Sequence, residues 1–211
     1  MSINLTVYGA THVGKVRKTN EDAFLVADLT GGSLVAEEKL ARFDVGKRGV
    51  LLAVSDGMGG HQAGEVASAL VLQSLRETMS KLDGEGNYDE LIEQATVKAN
   101  RALRDAAHHP GREKMGATLT ALFIHANHVH IAEVGDSRAY LVRGGQVRQV
   151  TRDQSYVQVM LDAGALTPEE AAHSNMRNVI LQSSGIEAEL SIRLREGCGM
   201  PVFWATADTP P

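Results

Sequence analysis

Apolar and polar residues alternate from Ile3 to Tyr8, the two-residue period of a half-buried strand, and Ala23 to Leu29 forms a second short apolar run. Gly31-Gly32 then opens a loop of undefined shape. Gly49 to Ser55 (GVLLAVS) is nearly continuous in apolar residues, as a fully covered strand is, and is expected to stop at Asp56-Gly57, where a glycine-rich turn leads into a helix. On that helix Ala63, Ala67, Val71, Leu72, Leu75, Met79 and Leu82 form one stripe. After a polar loop, Asp83 to Tyr88, a second helix carries Leu91, Ile92, Ala95, Ala99, Ala102, Leu103 and Ala106 along one face.

From Thr118 the period shortens to that of strands. Thr118 to His125, His128 to Val134, Ser137 to Arg143 and Gln146 to Val150 read as a four-stranded meander with turns at Ala126-Asn127, Gly135-Asp136 and Gly144-Gly145. Thr151 to Ser184 returns to helical patterning, and Thr167-Pro168-Glu169-Glu170 combines an N-cap, a first-turn proline and a capping-box glutamate. Ser191 to Pro211 is less regular. Strands, two long helices, more strands and further helices predict an α+β domain of helices layered on antiparallel sheet. The sheet order does not follow from the pattern.

A chain of 211 residues suits one well-packed domain. With 43% hydrophobic and 22% charged residues its composition is that of an ordinary globular protein. The net charge of −5 and the scattered lysines and arginines give no footprint for nucleic acid or a membrane surface. Cys198 is the only cysteine, so no intrachain disulfide can form and a reducing, cytoplasmic setting is expected. The start lacks the pattern of a secretion signal, and no run reaches the length of a membrane span.

Asp56 is the most informative position, because an apolar strand delivers a carboxylate to the turn Asp56-Gly57-Met58-Gly59-Gly60-His61. It reads either as a turn aspartate capping the next helix or as a ligand for a hard cation such as Mg²⁺ or Mn²⁺. A phosphate-cradling loop for a nucleotide is a third reading, which the carboxylate at its mouth opposes. Asn20-Glu21-Asp22 and Gly135-Asp136-Ser137-Arg138 are further acidic strand-end turns, each a surface turn by itself and a metal site if the fold gathers them. Arg17 is a solvated arginine or a bidentate clamp for a phosphoryl group. His128 and His130 face the same way on a strand and read as a satisfied surface pair rather than as zinc ligands. His61 fits an exposed turn as well as a site.

In combination these segments form a recognisable series. Gly14-Lys15-Val16-Arg17-Lys18-Thr19-Asn20-Glu21-Asp22 resembles the opening motif of the metal-dependent protein phosphatases of type 2C, in their bacterial form. Val54-Ser55-Asp56-Gly57-Met58-Gly59-Gly60-His61, Met115-Gly116-Ala117-Thr118 and Val134-Gly135-Asp136-Ser137-Arg138-Ala139-Tyr140 resemble the next three. Thr151-Arg152-Asp153-Gln154-Ser155 with Ala163-Gly164-Ala165-Leu166-Thr167 is similar to the start of the family's flap, about residues 152–185.

The resemblance implies a four-layer α-β-β-α sandwich with two metal ions, Mn²⁺ or Mg²⁺, in a cleft between the sheets. Asp56 would bridge both ions and the Gly57 carbonyl would complete one. Glu21 and Asp22 would act through water, Asp136 would serve a third, weaker ion, and Arg17 would grip the substrate phosphate. The implied activity is hydrolysis of phosphoserine and phosphothreonine on proteins phosphorylated by serine/threonine kinases, by a monomeric signalling enzyme. The family's later motifs, a strand ending in Ser-Asp-Gly and an Asp-Asn pair, are not matched. Asp208 is the candidate for the first of their aspartates, and the expectation is a C-terminally shortened domain with exposed apolar surface and a bare strand edge. The alternative is a catalytically impaired pseudo-phosphatase or fragment that binds phosphoproteins or other partners. Gln154 stands where the family usually has histidine, and a minor effect on the flap is expected.

Overall fold

The central apolar runs become strands because alternate side chains point to opposite faces and both faces are covered. The computed structural model describes residues 3–60, 62–81, 86–198 and 202–205. Its elements follow in the order β1 (Asn4–Gly9), β2 (Asp22–Asp28), β3 (Leu34–Val35), β4 (Lys39–Asp44), β5 (Val50–Met58), α1 (Gln62–Met79), α2 (Tyr88–Ala107), β6 (Gly116–Ala117), β7 (Leu119–His125), β8 (His128–Val134), β9 (Arg138–Arg143), β10 (Gln146–Gln149), α3 (Tyr156–Asp162), α4 (Pro168–His173), β11 (Arg193–Cys198) and β12 (Val202–Ala205). The main sheet runs β11-β8-β7-β5-β2-β3, with β6 paired to the far end of β5; a ribbon β1-β4 and a sheet β10-β9-β12 complete the β structure. All of these pairings are antiparallel.

One face of the main sheet presents Leu25, Leu51, Ala53, Leu119, Ala121 and Phe123 to the stripes of α1 and α2, where Ala67, Val71, Leu75, Ile92, Ala99 and Leu103 are buried. The other face presents Phe24, Val26, Val50, Leu52, Leu122 and Ile131 to Leu5 and Val7 of β1, Ala41 and Phe43 of β4, and Ala139 and Leu141 of β9. The α+β class and both helical stripes are as expected, except that Leu82 lies outside the described residues. The two long helices lie on the same side, so the described residues build helix, sheet and sheet; the second outer helical layer is not among them.

Several local expectations need correction. β5 does not stop at Asp56 but runs to Met58, because Gly57 and Met58 pair with Ala117 and Gly116 of β6 once β7 has ended. The loop after Gly31-Gly32 holds β3 and β4, the latter taking up β1 along its whole length. Thr151 to Ser184 is helical only in α3 and α4. Gly164 adopts φ 66° between them, and Ser174 ends α4 in extended backbone. The last segment, read as irregular, supplies β11 against β8 and β12 against β9. The start of α4 is as read: Thr167 Oγ1 accepts from the Glu170 amide at 3.3 Å, while the Glu170 carboxylate accepts from the Thr167 amide and hydroxyl, each at 2.8 Å.

Two predictions follow from this packing. Leu51, fully buried in the helix-facing core, should cost about 2–5 kcal/mol as Leu51→Ala, read from the urea midpoint, whereas exposed Val147→Ala should stay within about 0.5 kcal/mol. The Glu170 carboxyl is held below its ordinary pKa, chiefly by the Thr167 amide and then by the Thr167 hydroxyl. Its contribution is therefore complete above the usual carboxylate range and is lost as the pH falls through the lowered value. Amide exchange in residues 168–173 should accelerate there, relative to residues 51–54, and Glu170→Gln should remove the pH dependence.

Candidate active site

β2 and β5 carry two of the predicted acidic residues to one point. Their register places Asp22 directly opposite Asp56, continuing the pairs Phe24 with Val54 and Val26 with Leu52. Directly opposed residues share a face, so both carboxylates follow the apolar side chains that fill the space between the β layers. Each is partly buried. Like charges so opposed repel, and a cation offsets that repulsion.

Glu21 sits beside this pair. Its carbonyl accepts from the Gly57 amide at 3.0 Å, and its carboxylate lies against Gly64 in the first turn of α1. Side chains at Gly57 and Gly64 would collide with the Gly64 carbonyl and the Glu21 carboxylate respectively, so two glycines permit β5, α1 and Glu21 to meet. The Gly57 carbonyl also faces Gly64, at 3.0 Å from the position a Cβ there would take.

Asp136 reaches the same neighbourhood through Thr118. The Asp56 amide donates to Thr118 Oγ1 (2.9 Å) and the Asp56 carbonyl accepts from the Thr118 amide (2.9 Å). Thr118 Oγ1 also bonds Ser137 Oγ (2.7 Å), next to Asp136, while Ser55 Oγ donates to the Thr118 carbonyl (2.7 Å) and Thr120 Oγ1 to the Ser137 carbonyl (2.6 Å). All four hydroxyl residues are fully buried. Gly135, at φ 98°, packs so closely on Thr118 that a Cβ would lie 2.7 Å from its methyl group.

The start of the flap is fastened to this turn by three successive residues. The Arg152 amide donates to the Glu133 carboxylate (2.9 and 3.0 Å), and Asp153 receives the guanidinium of Arg138 in a fork (2.6–3.0 Å). That fork, the Asp153 hydrogen bonds foremost, raises the Arg138 pKa further above its already basic value. Gln154 bonds both backbone groups of Gly135. Gln154 itself is buried: its side-chain amide bonds the backbone of Gly135 and Ser191, and its main-chain carbonyl accepts from the Leu181 amide.

Arg17 occupies the exposed loop between β1 and β2. That loop is shaped by Asn20, which donates to Thr11 Oγ1 (2.9 Å) and accepts from the Asp22 amide (3.2 Å). A cavity of about 300 Å³ opens there, lined by residues 7–12 and 22–26 with 53 and 54, so Asp22 forms part of its wall. His61 and Asp208 lie outside the described residues. His130 is buried rather than superficial, because its ring packs on Tyr88 and its Nδ1 pairs with Asp89 at 2.8 Å.

Among the described residues no three His, Cys, Asp or Glu side chains form a ready-made metal cluster. The structure brings Asp22 and Asp56 together with Glu21 and the Gly57 carbonyl at their flank, and ties the Asp136 turn to them through Thr118. This all-oxygen donor set fits a hard divalent cation that keeps water in its shell, such as Mg²⁺ or Mn²⁺. Thr118, Ser137, Gly64 and Gln154 were missed as site-building residues. Ser137 stands beside Asp136 and Gly64 beside Glu65, whereas Thr118 and Gln154 meet the acidic segments only through the fold.

Residues 7–158 match the sequence profile of the family described as protein phosphatase 2C. The chain belongs to the protein phosphatase 2C family. It is 40% identical over 148 residues to the serine/threonine protein phosphatase PstP of Mycobacterium tuberculosis, covering 69% of this chain and 29% of that one. It is 34% identical over 142 residues to the protein phosphatase PhpP of Streptococcus pneumoniae, covering 66% and 58%. The chain thus spans less than a third of the length of the mycobacterial relative. Among solved structures, the serine/threonine phosphatase Stp1 from Staphylococcus aureus aligns with a TM-score of 0.76 at 28% identity, over 94% of this chain and 72% of that one. The catalytic domain of PstP in complex with two manganese ions aligns with a TM-score of 0.65 at 34% identity, over 92% and 72%.

Thr118 gives this family member a testable hinge between its acidic segments. Thr118→Ala should cost about 1–3 kcal/mol in urea denaturation, because the buried Asp56 amide and Ser137 hydroxyl lose their partner, and Thr118→Ser should restore most of it.

Proposed function

We propose that this protein phosphatase 2C domain hydrolyses phosphoserine and phosphothreonine esters on proteins with the help of divalent cations at Asp56. The observation that carries the reading is the opposition of Asp22 and Asp56 on the inner face of the sandwich. The manganese complex of the PstP catalytic domain and the names of the relatives support it. In this reading Asp56 and the Gly57 carbonyl would hold the ions, Glu21 and Asp22 would act through water, and Asp136 would serve a third, weaker ion. Asp208 is a further candidate ligand. The cations, Mn²⁺ or Mg²⁺, supply when bound the Lewis acidity that activates water and braces the charge of an in-line displacement.

The chain's own residues prepare that chemistry. Asp56 is held by both its backbone groups against Thr118, so its carboxylate keeps a fixed place opposite Asp22. Arg17, on the loop that leads to Asp22, presents a planar fork of donors suited to two phosphoryl oxygens. The substrates in this reading are products of serine/threonine kinases, met by a monomer in the cytoplasm. No helix of the described residues is long and apolar enough to cross a membrane.

Hydrolysis of p-nitrophenyl phosphate tests the reading. The rate should depend on added Mn²⁺, vanish with EDTA, and fall to the uncatalysed background in Asp56→Ala. Arg17→Lys should raise KM roughly tenfold or more, since hydrogen bonds between charged groups contribute about 1.5–3 kcal/mol. Equal rates with and without metal would overturn the assignment.

A further inference from the structure

Gln154 joins three parts of the chain that are distant in sequence. Its Oε1 accepts from the Gly135 amide (2.7 Å), and its own amide donates to the Gly135 carbonyl (2.8 Å), so one residue closes both backbone groups of the glycine preceding Asp136. Its Nε2 donates to the Ser191 carbonyl (2.8 Å), just before β11. Its carbonyl accepts from the Leu181 amide (2.8 Å), and Gln182 Nε2 reaches both Gln154 Oε1 (3.1 Å) and the Ser191 carbonyl (3.2 Å). Gln182 Oε1 in turn accepts from the Ser191 amide (2.8 Å). Between these points the chain leaves and returns: Ser155 bridges Ile180, and the Tyr156 amide donates to the Val179 carbonyl (2.9 Å). Residues 156–179, with α3 and α4, are thus an excursion whose two ends are clasped by a pair of glutamines.

We infer that Gln154 is a positioning residue that makes the base of this excursion and the turn carrying Asp136 one mechanical unit. Gly135 stands at φ 98°, where the backbone is held by its partners rather than by a side chain. Its amide and carbonyl have one neighbour in common, Gln154, which also closes the loop. Loosening of the excursion at its base therefore releases Gly135, and with it the aim of the Asp136 carboxylate. Gln154 suits this task because a primary amide accepts and donates at the same time. A carboxylate lacks the donor for the Ser191 carbonyl and an aliphatic side chain lacks both. A neutral imidazole offers one acceptor and one donor, which makes histidine the conservative replacement. The part that concerns cation binding rests on the function proposed above; the coupling of the turn to the loop base does not.

The test uses the full chain with Gln154→Leu, Gln154→His and Gln182→Leu. In the metal-free protein, hydrogen exchange should accelerate together at residues 135–137 and 179–182 in Gln154→Leu, with residues 51–54 unchanged. Gln154→His should restore most of the protection. Manganese titrated by electron paramagnetic resonance should bind about tenfold more weakly to Gln154→Leu and within about threefold of wild type to Gln154→His. Faster exchange at 179–182 with an unaltered turn would overturn the inference, as would equal manganese affinity for wild type and Gln154→Leu. If the wild-type chain binds no manganese, the proposed function fails and the exchange data alone decide the coupling. If Gln154→Leu also loses protection at 51–54, it has unfolded, and Gln182→Leu decides: exchange rising at both 135–137 and 179–182 supports the coupling, and a rise at 179–182 alone refutes it.

Discussion

The site depends on a set of hydroxyl groups with no access to water. Ser55, Thr118, Thr120 and Ser137 come from β5, β7 and its approach, and the turn before β9, and each finds its partner among the others or their backbone. A buried hydroxyl without a partner costs more than a satisfied one contributes, so the network admits essentially one arrangement. That arrangement fixes Asp56 through its amide and places Ser137, hence the Asp136 turn, at a set distance. Apolar packing alone brings sheets together over a range of small shifts. The hydroxyls narrow that range to one relation between two acidic segments.

Beneath the network, the central strands supply the stability that an acidic site requires. β5 is covered on both faces, Leu51 and Ala53 by helices and Val50, Leu52 and Val54 by the second β layer. Burial of such side chains contributes about 1.5–3 kcal/mol each. The same strand continues past this core and ends in Asp56, Gly57 and Met58, where apolar burial gives way to a carboxylate opposed by Asp22. The acidic end of the sheet is thus carried by a well-packed remainder. The switch of partner from β7 to β6 keeps those final residues in extended geometry instead of releasing them into a turn.

That switch also marks where the sequence was legible and where it was not. The helical stripes, β8 and the capping box at Thr167 follow from local period and local hydrogen bonding, and they appear in the sequence as they do in the fold. Asp22, Asp56 and Asp136 were identifiable as strand-end acids, but not that two of them are register partners, since register is a property of pairing. Gly57 reads as punctuation, and only the approach of Gly64 and Glu21 explains why a glycine stands inside a strand. In β4 the run Lys39-Leu40-Ala41-Arg42-Phe43-Asp44 alternates imperfectly and leaves Leu40 exposed, so its pairing with β1 left little trace. Gln154 was the least legible. Its partners stand 19, 28 and 37 residues away, and no window of sequence contains them.

The opposed carboxylates bear on how stability is distributed along the sandwich. Without a cation, Asp22 and Asp56 face each other across the last pair of β2 and β5, and their repulsion acts against the pairing that positions them. At the other end of the main sheet, Tyr88 packs on Phe123 and His125 and bonds the His125 ring, and His130 is satisfied by Asp89. A ligand that binds only the native state stabilises it by mass action, and its effect is local to the groups it relieves. In the proposed function this repulsion is a local weakness that a bound cation would relieve. The hydroxyl network at Thr118 limits this weakness, because it holds Asp56 by the backbone whether or not its side chain is neutralised.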